Sequence, residues 1–166
     1  MHKDSTDILL CPILLLWSFA ILVVFNQILK IMFSKPRIIS TFASFVIIYF
    51  FPWIFYAYLA VDFFESQVIT DVSRGDDMLL LPLTLGCLIM AYLFSSIYEK
   101  WGLGTYNVLS GIQFGVLIGL FFGAGIGLVM YGTEMRITAT GHLVDAVFWV
   151  ITYIVSGVMA SIVYKR

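Results

Sequence analysis

The chain has 166 residues, of which 61% are hydrophobic and 11% are charged, and its formal net charge at pH 7 is −1. A soluble domain carries roughly 25% charged residues, so this composition predicts a protein whose surface is covered by lipid. A net charge near zero without a basic stripe excludes nucleic acid as a partner. Cys11 and Cys87 lie in separate apolar runs, a spacing that predicts neither a disulfide framework nor a metal site.

Five apolar stretches reach the length of about 20 residues that a helix needs to cross a bilayer. Because backbone N–H and C=O groups must pair within a segment in hydrocarbon, such continuous runs predict helices and not a barrel. No low-complexity linker separates them, so the sequence predicts a single all-α domain over residues 1–166, a polytopic transmembrane helix bundle. The predicted spans are Ile8–Ile31, Ile38–Asp62, Met78–Tyr98, Asn107–Tyr131 and Leu143–Tyr164.

The first stretch, 8–31, leaves the number of spans open. Lys3 has acidic neighbours and no small-residue cleavage site follows the stretch, so a cleaved signal peptide is not expected. If the natural chain starts at Met32, the tract 32–37 becomes a short basic N-terminus and four spans remain. Both versions obey the same charge rule.

The second stretch, 38–62, contains Pro52 in its middle, followed by several aromatic residues. Proline removes one backbone hydrogen bond, so we expect a bend with aromatic side chains near the interface. A hinge that gates a substrate is the functional alternative. Asp62 and Glu65 close this stretch at i and i+3, and therefore on one helical face.

The fourth stretch carries a glycine at every fourth position along about 24 Å of helix. These glycines are Gly111, Gly115, Gly119, Gly123 and Gly127. Each would cost about 1 kcal/mol against alanine in a soluble helix, so the stripe is intelligible if another backbone packs against it. The last stretch offers Gly157 and Ser161 among its small residues. We therefore expect the two helices to dock within one chain; a homo-oligomeric interface and a glycine-lined pore are the alternatives.

The last stretch begins with His142 and Asp145, which repeat the spacing of Asp62 and Glu65 at the same predicted membrane edge. We expect solvated edge residues, some of them paired with Arg136. A divalent-cation or ligand site built from the four is the functional alternative, and a partner-docking surface is the third interpretation. No catalytic constellation or phosphate-loop, dinucleotide, zinc-protease or serine-hydrolase motif is present, so the sequence predicts neither an enzyme nor a bound cofactor.

Lysine and arginine are unequally divided between the two sides of the predicted bundle. One side collects Lys30, Lys35, Arg37, Lys100, Lys165 and Arg166, and the other collects Lys3, Arg74 and Arg136. Basic residues concentrate in cytoplasmic loops. The C-terminus of this multi-pass protein is therefore predicted to be cytoplasmic.

Four segments within residues 42–166 carry a family resemblance. They read FVIIYFFPWIFYAYLAVDFF, LPLTLGCLIMAYLFSSIYEKWG, GIQFGVLIGLFFGAGIGLVMYGT and LVDAVFWVITYIVSGVMASIVYKR. In these segments the chain resembles a family of small, uncharacterised bacterial membrane proteins of the kind found in Bacteroidetes and marine bacteria. The resemblance implies a four-helix integral protein of the bacterial cytoplasmic membrane, with no established catalytic residues to carry over.

Two functions from different classes follow from these patterns. The first is a structural or accessory protein of the lipid bilayer that packs with itself, as a homo-oligomer, or as a subunit of a larger membrane complex. The alternative is a small-solute or ion transporter or channel that works as an oligomer. The first is favoured because no ionisable residue is expected at mid-membrane, where transporters usually hold one.

Overall fold

The computed structural model describes residues 34–165. Its compact unit begins at Pro36. The predicted span 8–31, and with it the choice between five and four spans, lies outside the described residues. The predicted all-α helix bundle is confirmed, with four helices long and apolar enough to cross a membrane and one short helix. These are α1 (Lys35–Leu59), α2 (Val61–Gln67, the short one), α3 (Leu80–Gly102), α4 (Val108–Thr133) and α5 (Ala139–Tyr164).

Polar residues set the helix ends, and some of these ends lie outside the apolar runs. Asn107 caps α4, since its side-chain oxygen accepts a hydrogen bond from the backbone N–H of Ser110 at 2.8 Å. Thr138 caps α5 by accepting from the N–H of Gly141 at 3.2 Å. Such caps satisfy amides that lack a partner in the first turn. Helix α5 therefore starts at Ala139, four residues before the predicted start at Leu143, because hydropathy does not register a polar first turn.

The disturbance predicted at Pro52 takes the form of a π turn. Helix α1 is α-helical over Lys35–Ile54 and π-helical over Phe55–Leu59. The backbone N–H of Ala60 donates to the carbonyl of Phe55 at 2.8 Å and closes the turn. Proline lacks an N–H and crowds the carbonyl of the preceding turn, which favours such a rearrangement. The extra residue in the π turn changes the direction in which the following side chains point.

Helices α4 and α5 pack backbone against backbone along the glycine stripe. A Cβ added at Gly111 or Gly115 would lie closer than 3.0 Å to a carbonyl oxygen of α5, contributed by Gly157 and Tyr153 respectively. A Cβ at Gly119 would lie 2.5 Å from the Cα of Val150, and one at Gly123 would lie 2.7 Å from the carbonyl oxygen of Ala146. The expected docking within one chain is therefore present for the first four glycines. Of the small residues predicted on α5, Gly157 lies against Gly111, and so does the Cβ of Ser161.

A second π segment, Leu120–Ile126, lies within α4 and explains how the stripe stays aligned with α5. A step of four residues turns an α-helix by about 40° more than a full turn, so a regular stripe drifts around the helix. A π turn contains more residues, and the same step then falls short of a full turn. The segment thereby rotates Gly123 back toward α5. Gly127 departs from the prediction, because a Cβ added there would meet nothing within 4 Å.

The buried core lies in one half of the bundle. Tyr98, Phe114 and Tyr153, from three different helices, are each at most 1% exposed, and the rings of Tyr98 and Phe114 have centroids 5.3 Å apart. In contrast, the first turns of α3 expose large apolar side chains, with Leu81 71% exposed. Such a surface suits hydrocarbon, which solvates leucine as well as a protein core does.

Candidate functional site: a carboxylate between two π segments

The candidate site lies at the end of the bundle formed by the chain connections 60–79 and 134–138, which we call the Asp145 end. The two connections are joined through their backbones. Thr138 N–H donates to the carbonyl of Gln67 at 3.0 Å, and Ile69 N–H donates to the carbonyl of Arg136 at 2.9 Å. These bonds hold the starts of α2 and α5 together beside the site.

The central contact is a hydrogen bond from the hydroxyl of Tyr56 to Oδ1 of Asp145. Both side chains are half-buried. Asp145 lies six residues, about 9 Å, inside α5, and Tyr56 lies in the π turn of α1. A hydrogen bond to an ionised carboxylate is roughly twice as strong as a neutral one. This contact therefore attaches the end of α1 directly to α5.

Aromatic rings surround the Tyr56–Asp145 pair. Phe55 stacks on Phe148 with ring centroids 4.0 Å apart and planes within 4°. Tyr56 also meets Phe64 edge-on at 5.1 Å. One turn of α5 is thus flanked on two sides by π segments, since Ala146 lies against Gly123 of α4. Such segments are frequent at functional sites.

His142 lies one turn before Asp145 on α5. It is 9% exposed, and its Nε2 has no hydrogen-bond partner in the described part of the chain. The ring of Tyr131 meets the imidazole edge-on, with centroids 5.6 Å apart. The contacts Gly119–Val150 and Gly123–Ala146 advance by four residues in opposite directions, so the next position in this register pairs Gly127 with His142.

The cation site predicted from Asp62, Glu65, His142 and Asp145 is wrong. Within residues 34–165 no group of three histidine, cysteine or acidic residues lies close enough to hold a metal ion. Asp62 and Glu65 are exposed on the short helix α2, whereas His142 and Asp145 point into the bundle. Equal sequence spacing placed each pair on one face of its own helix, but the two faces do not meet. An open surface depression near α2 is lined by Thr70, Val72, Glu134, Met135 and Arg136.

A second polar cluster, which the sequence analysis missed, lies at the opposite Arg37 end of the bundle. Arg37 Nε donates to Oε2 of Glu99 at 2.8 Å, and the side chains are 5% and 26% exposed. The hydroxyl of Tyr164 approaches the same Oε2 at 3.4 Å, and Ser95 Oγ donates to the backbone carbonyl of Arg37 at 3.3 Å. The cluster joins α1, α3 and α5. Arg37 and Glu99 had been counted only as loop charges; their signal was opposite charge at span ends predicted to share one side.

The arrangement allows proton exchange and hydrogen bonding at the Asp145 end and ion pairing at the Arg37 end. Comparison with protein-family models, with curated proteins and with solved structures found no match to this chain. The family resemblance of residues 42–166 therefore stays a prediction, and the functional interpretation rests on the geometry of the two ends.

Proposed function

We propose that the protein is a structural or accessory membrane protein that associates with itself or serves as a subunit of a larger membrane complex. The observation that carries this proposal is the backbone contact of α4 and α5 from Gly111 to Gly123. It spans twelve residues, about 18 Å, which is more than half of a hydrocarbon core of about 30 Å. A helix pair packed so closely is suited to present a rigid surface to a partner.

Native mass spectrometry of the full chain in mild detergent tests this role. The parent and Leu120→Ile, a volume-conserving change on an exposed position, should elute with a stoichiometric partner, either a second copy or another chain. Gly119→Leu, which forces α4 and α5 apart, should lose that partner. A parent protein that elutes as a monomer without co-eluting chains would contradict the proposal.

An oligomeric small-solute or ion transporter is the second candidate function. It is favoured by the half-buried carboxylate of Asp145 and by Ser40, Thr41 and Ser44 on α1, which are at most 8% exposed. Ionisable groups inside spans mark ion pathways in many membrane proteins. In proteoliposomes with an imposed potential and an entrapped pH dye, this candidate requires proton flux that Asp145→Asn abolishes. The exposed carboxylate variant Asp62→Asn is the matched control, and absence of flux in the parent leaves the accessory role.

We further infer that the protein lies in a bacterial cytoplasmic membrane with its C-terminus in the cytoplasm, as the charge distribution and the family resemblance suggest. Support comes from the cluster of Arg37, Glu99 and Tyr164, which places the basic helix ends together at one end of the bundle. Cysteines introduced at Ser73 and at Lys165 should differ in labelling by an impermeant maleimide in intact cells. Labelling of the probe at 165 without labelling at 73 would reverse the orientation.

A further inference from the structure

The two polar groups inside the Asp145 end have unequal hydrogen bonding. Asp145 is bound by Tyr56 of α1, whereas Nε2 of His142, on the same face of α5, has no partner in the part of the chain that the structure describes. A buried polar atom without a partner is costly in a low-dielectric interior. The imidazole and the carboxylate at i and i+3 are neighbours on the helix surface, and they interact electrostatically.

The space beside His142 leaves the imidazole free to turn. The position of α4 that faces it in register is Gly127, which is buried, and a Cβ added there would meet nothing within 4 Å. At Gly123, one step along the stripe, a Cβ would clash with the backbone of α5. The interface therefore opens at the level of His142, and a rotamer change there needs no movement of either backbone.

The groups that face Asp145 come from three parts of the chain. Tyr56 approaches from α1, Arg136 from the connection before α5, and His142 and Trp149 from α5 itself. Of these, His142 is the side chain that ordinarily gains or loses a proton between about pH 5 and 8. When it gains a proton, both ring nitrogens become donors, and an imidazolium beside the carboxylate forms an ion pair.

We propose that His142 is a proton-operated switch that takes the carboxylate of Asp145 away from Tyr56. With a neutral imidazole, Tyr56 donates to Asp145 and fixes the π turn of α1 to α5. A proton from solvent adds to a ring nitrogen, the imidazolium turns into the space beside Gly127 and pairs with Asp145, and the hydroxyl of Tyr56 is released. The result is a packing contact between α1 and α5 that loosens on acidification, a property beyond the accessory role.

Hydrogen–deuterium exchange of the amides at 56–60 tests the release, using the full chain in detergent or nanodiscs. The rate in the parent is divided by the rate in His142→Gln at each pH, which removes the intrinsic pH dependence of exchange. The ratio should be near one at pH 8 and about threefold or more at pH 5. Asp62→Asn, with an exposed carboxylate changed, should follow the parent. A ratio that stays constant, or that falls on acidification, overturns the switch.

Direct observation of the imidazole keeps the test valid if His142→Gln fails to fold. The chain has two histidines, His2 and His142, so His2→Gln leaves a single imidazole that ¹³C-histidine NMR can follow. The expected result is a titration of His142 between pH 8 and pH 5, together with a matching change in the ring resonances of Tyr56. An imidazole that stays neutral over this range, or that titrates without affecting Tyr56, overturns the proposal.

Discussion

Helix α5 contacts two neighbours in different ways. Along α4 it meets a row of glycines, and the contact is made of backbone atoms from Gly111 to Gly123. With α1 it is joined by side chains near its two ends, through Tyr56–Asp145 at one end and through Arg37–Glu99–Tyr164 at the other. The α4–α5 contact is therefore continuous and steric, whereas α1 is held at discrete polar points.

The difference shows what stabilises helix pairs where lipid removes the hydrophobic driving force between them. A glycine groove gains dispersion contacts because nothing separates the two backbones, and these contacts depend on shape alone. Polar attachments depend on charge state and on a donor and an acceptor both being present. Mutations should therefore act on the glycine contact through volume and on the α1 attachments through chemistry.

The largest expected effect comes from filling the glycine groove. Gly119→Leu places a side chain where a Cβ alone would lie 2.5 Å from the Cα of Val150, and the helices must separate. The free energy of unfolding should fall by more than about 2 kcal/mol, as in overpacked cores. Leu120→Ile, at a side chain 49% exposed, should change little. Equal thermal unfolding of parent and both variants in detergent would show that the stripe does not carry the packing.

Removing one partner of the ion pair should give the next largest effect. Glu99→Gln leaves the guanidinium of Arg37, 5% exposed, without its counter-charge. We expect a loss of about 2 kcal/mol, below the range for fully buried pairs because the Glu99 side chain is 26% exposed. Arg37→Met combined with Glu99→Leu should recover part of the loss. A double-mutant cycle of chemical unfolding measures this, and strictly additive losses would remove the pair from the stabilising contacts.

A smaller effect is expected at the other attachment of α1. Tyr56→Phe keeps the ring and removes the donor to Asp145, so the unfolding free energy should fall by about 1 to 1.5 kcal/mol. The backbone amides of the π turn, Phe55–Leu59, should exchange faster. Tyr58→Phe, at a ring 66% exposed, is the matched control. Indistinguishable unfolding curves for the two variants would mean that the hydroxyl of Tyr56 does not stabilise the attachment.

The smallest effect sharpens the comparison because it reverses sign within one stripe. Gly127→Ala adds a methyl group where nothing lies within 4 Å and improves helix propensity, so stability should rise by about 0.5 kcal/mol. Gly115→Ala adds the same methyl group against the backbone of Tyr153 and Ile154 and should lower stability. Thermal unfolding of the two single variants gives the signs. A loss at both positions would show that α5 also lies against Gly127.

Sequence periodicity anticipated the α4–α5 contact and the fold class but not the polar contacts. A glycine every fourth residue in an apolar run has few physical explanations other than close approach of a backbone, and Gly157 offered a matching partner. By contrast, Asp62 and Asp145 looked equivalent because both begin an i, i+3 pair at one membrane edge. Their surroundings differ, since Asp62 is exposed on a short helix and Asp145 is bound by Tyr56.

What the sequence determined by itself is the set of properties that depend on neighbours along the chain. Apolar length, the absence of charge and the spacing of glycines dictate the helices and the groove of α4. Tertiary structure decided which polar groups meet. The π turn after Pro52 sets the direction of Tyr56, and the π segment in α4 turns the stripe so that Gly123 touches α5 and Gly127 does not. Small changes in helical rotation accumulate along a helix, so contacts between distant residues follow from the folded geometry and not from spacing.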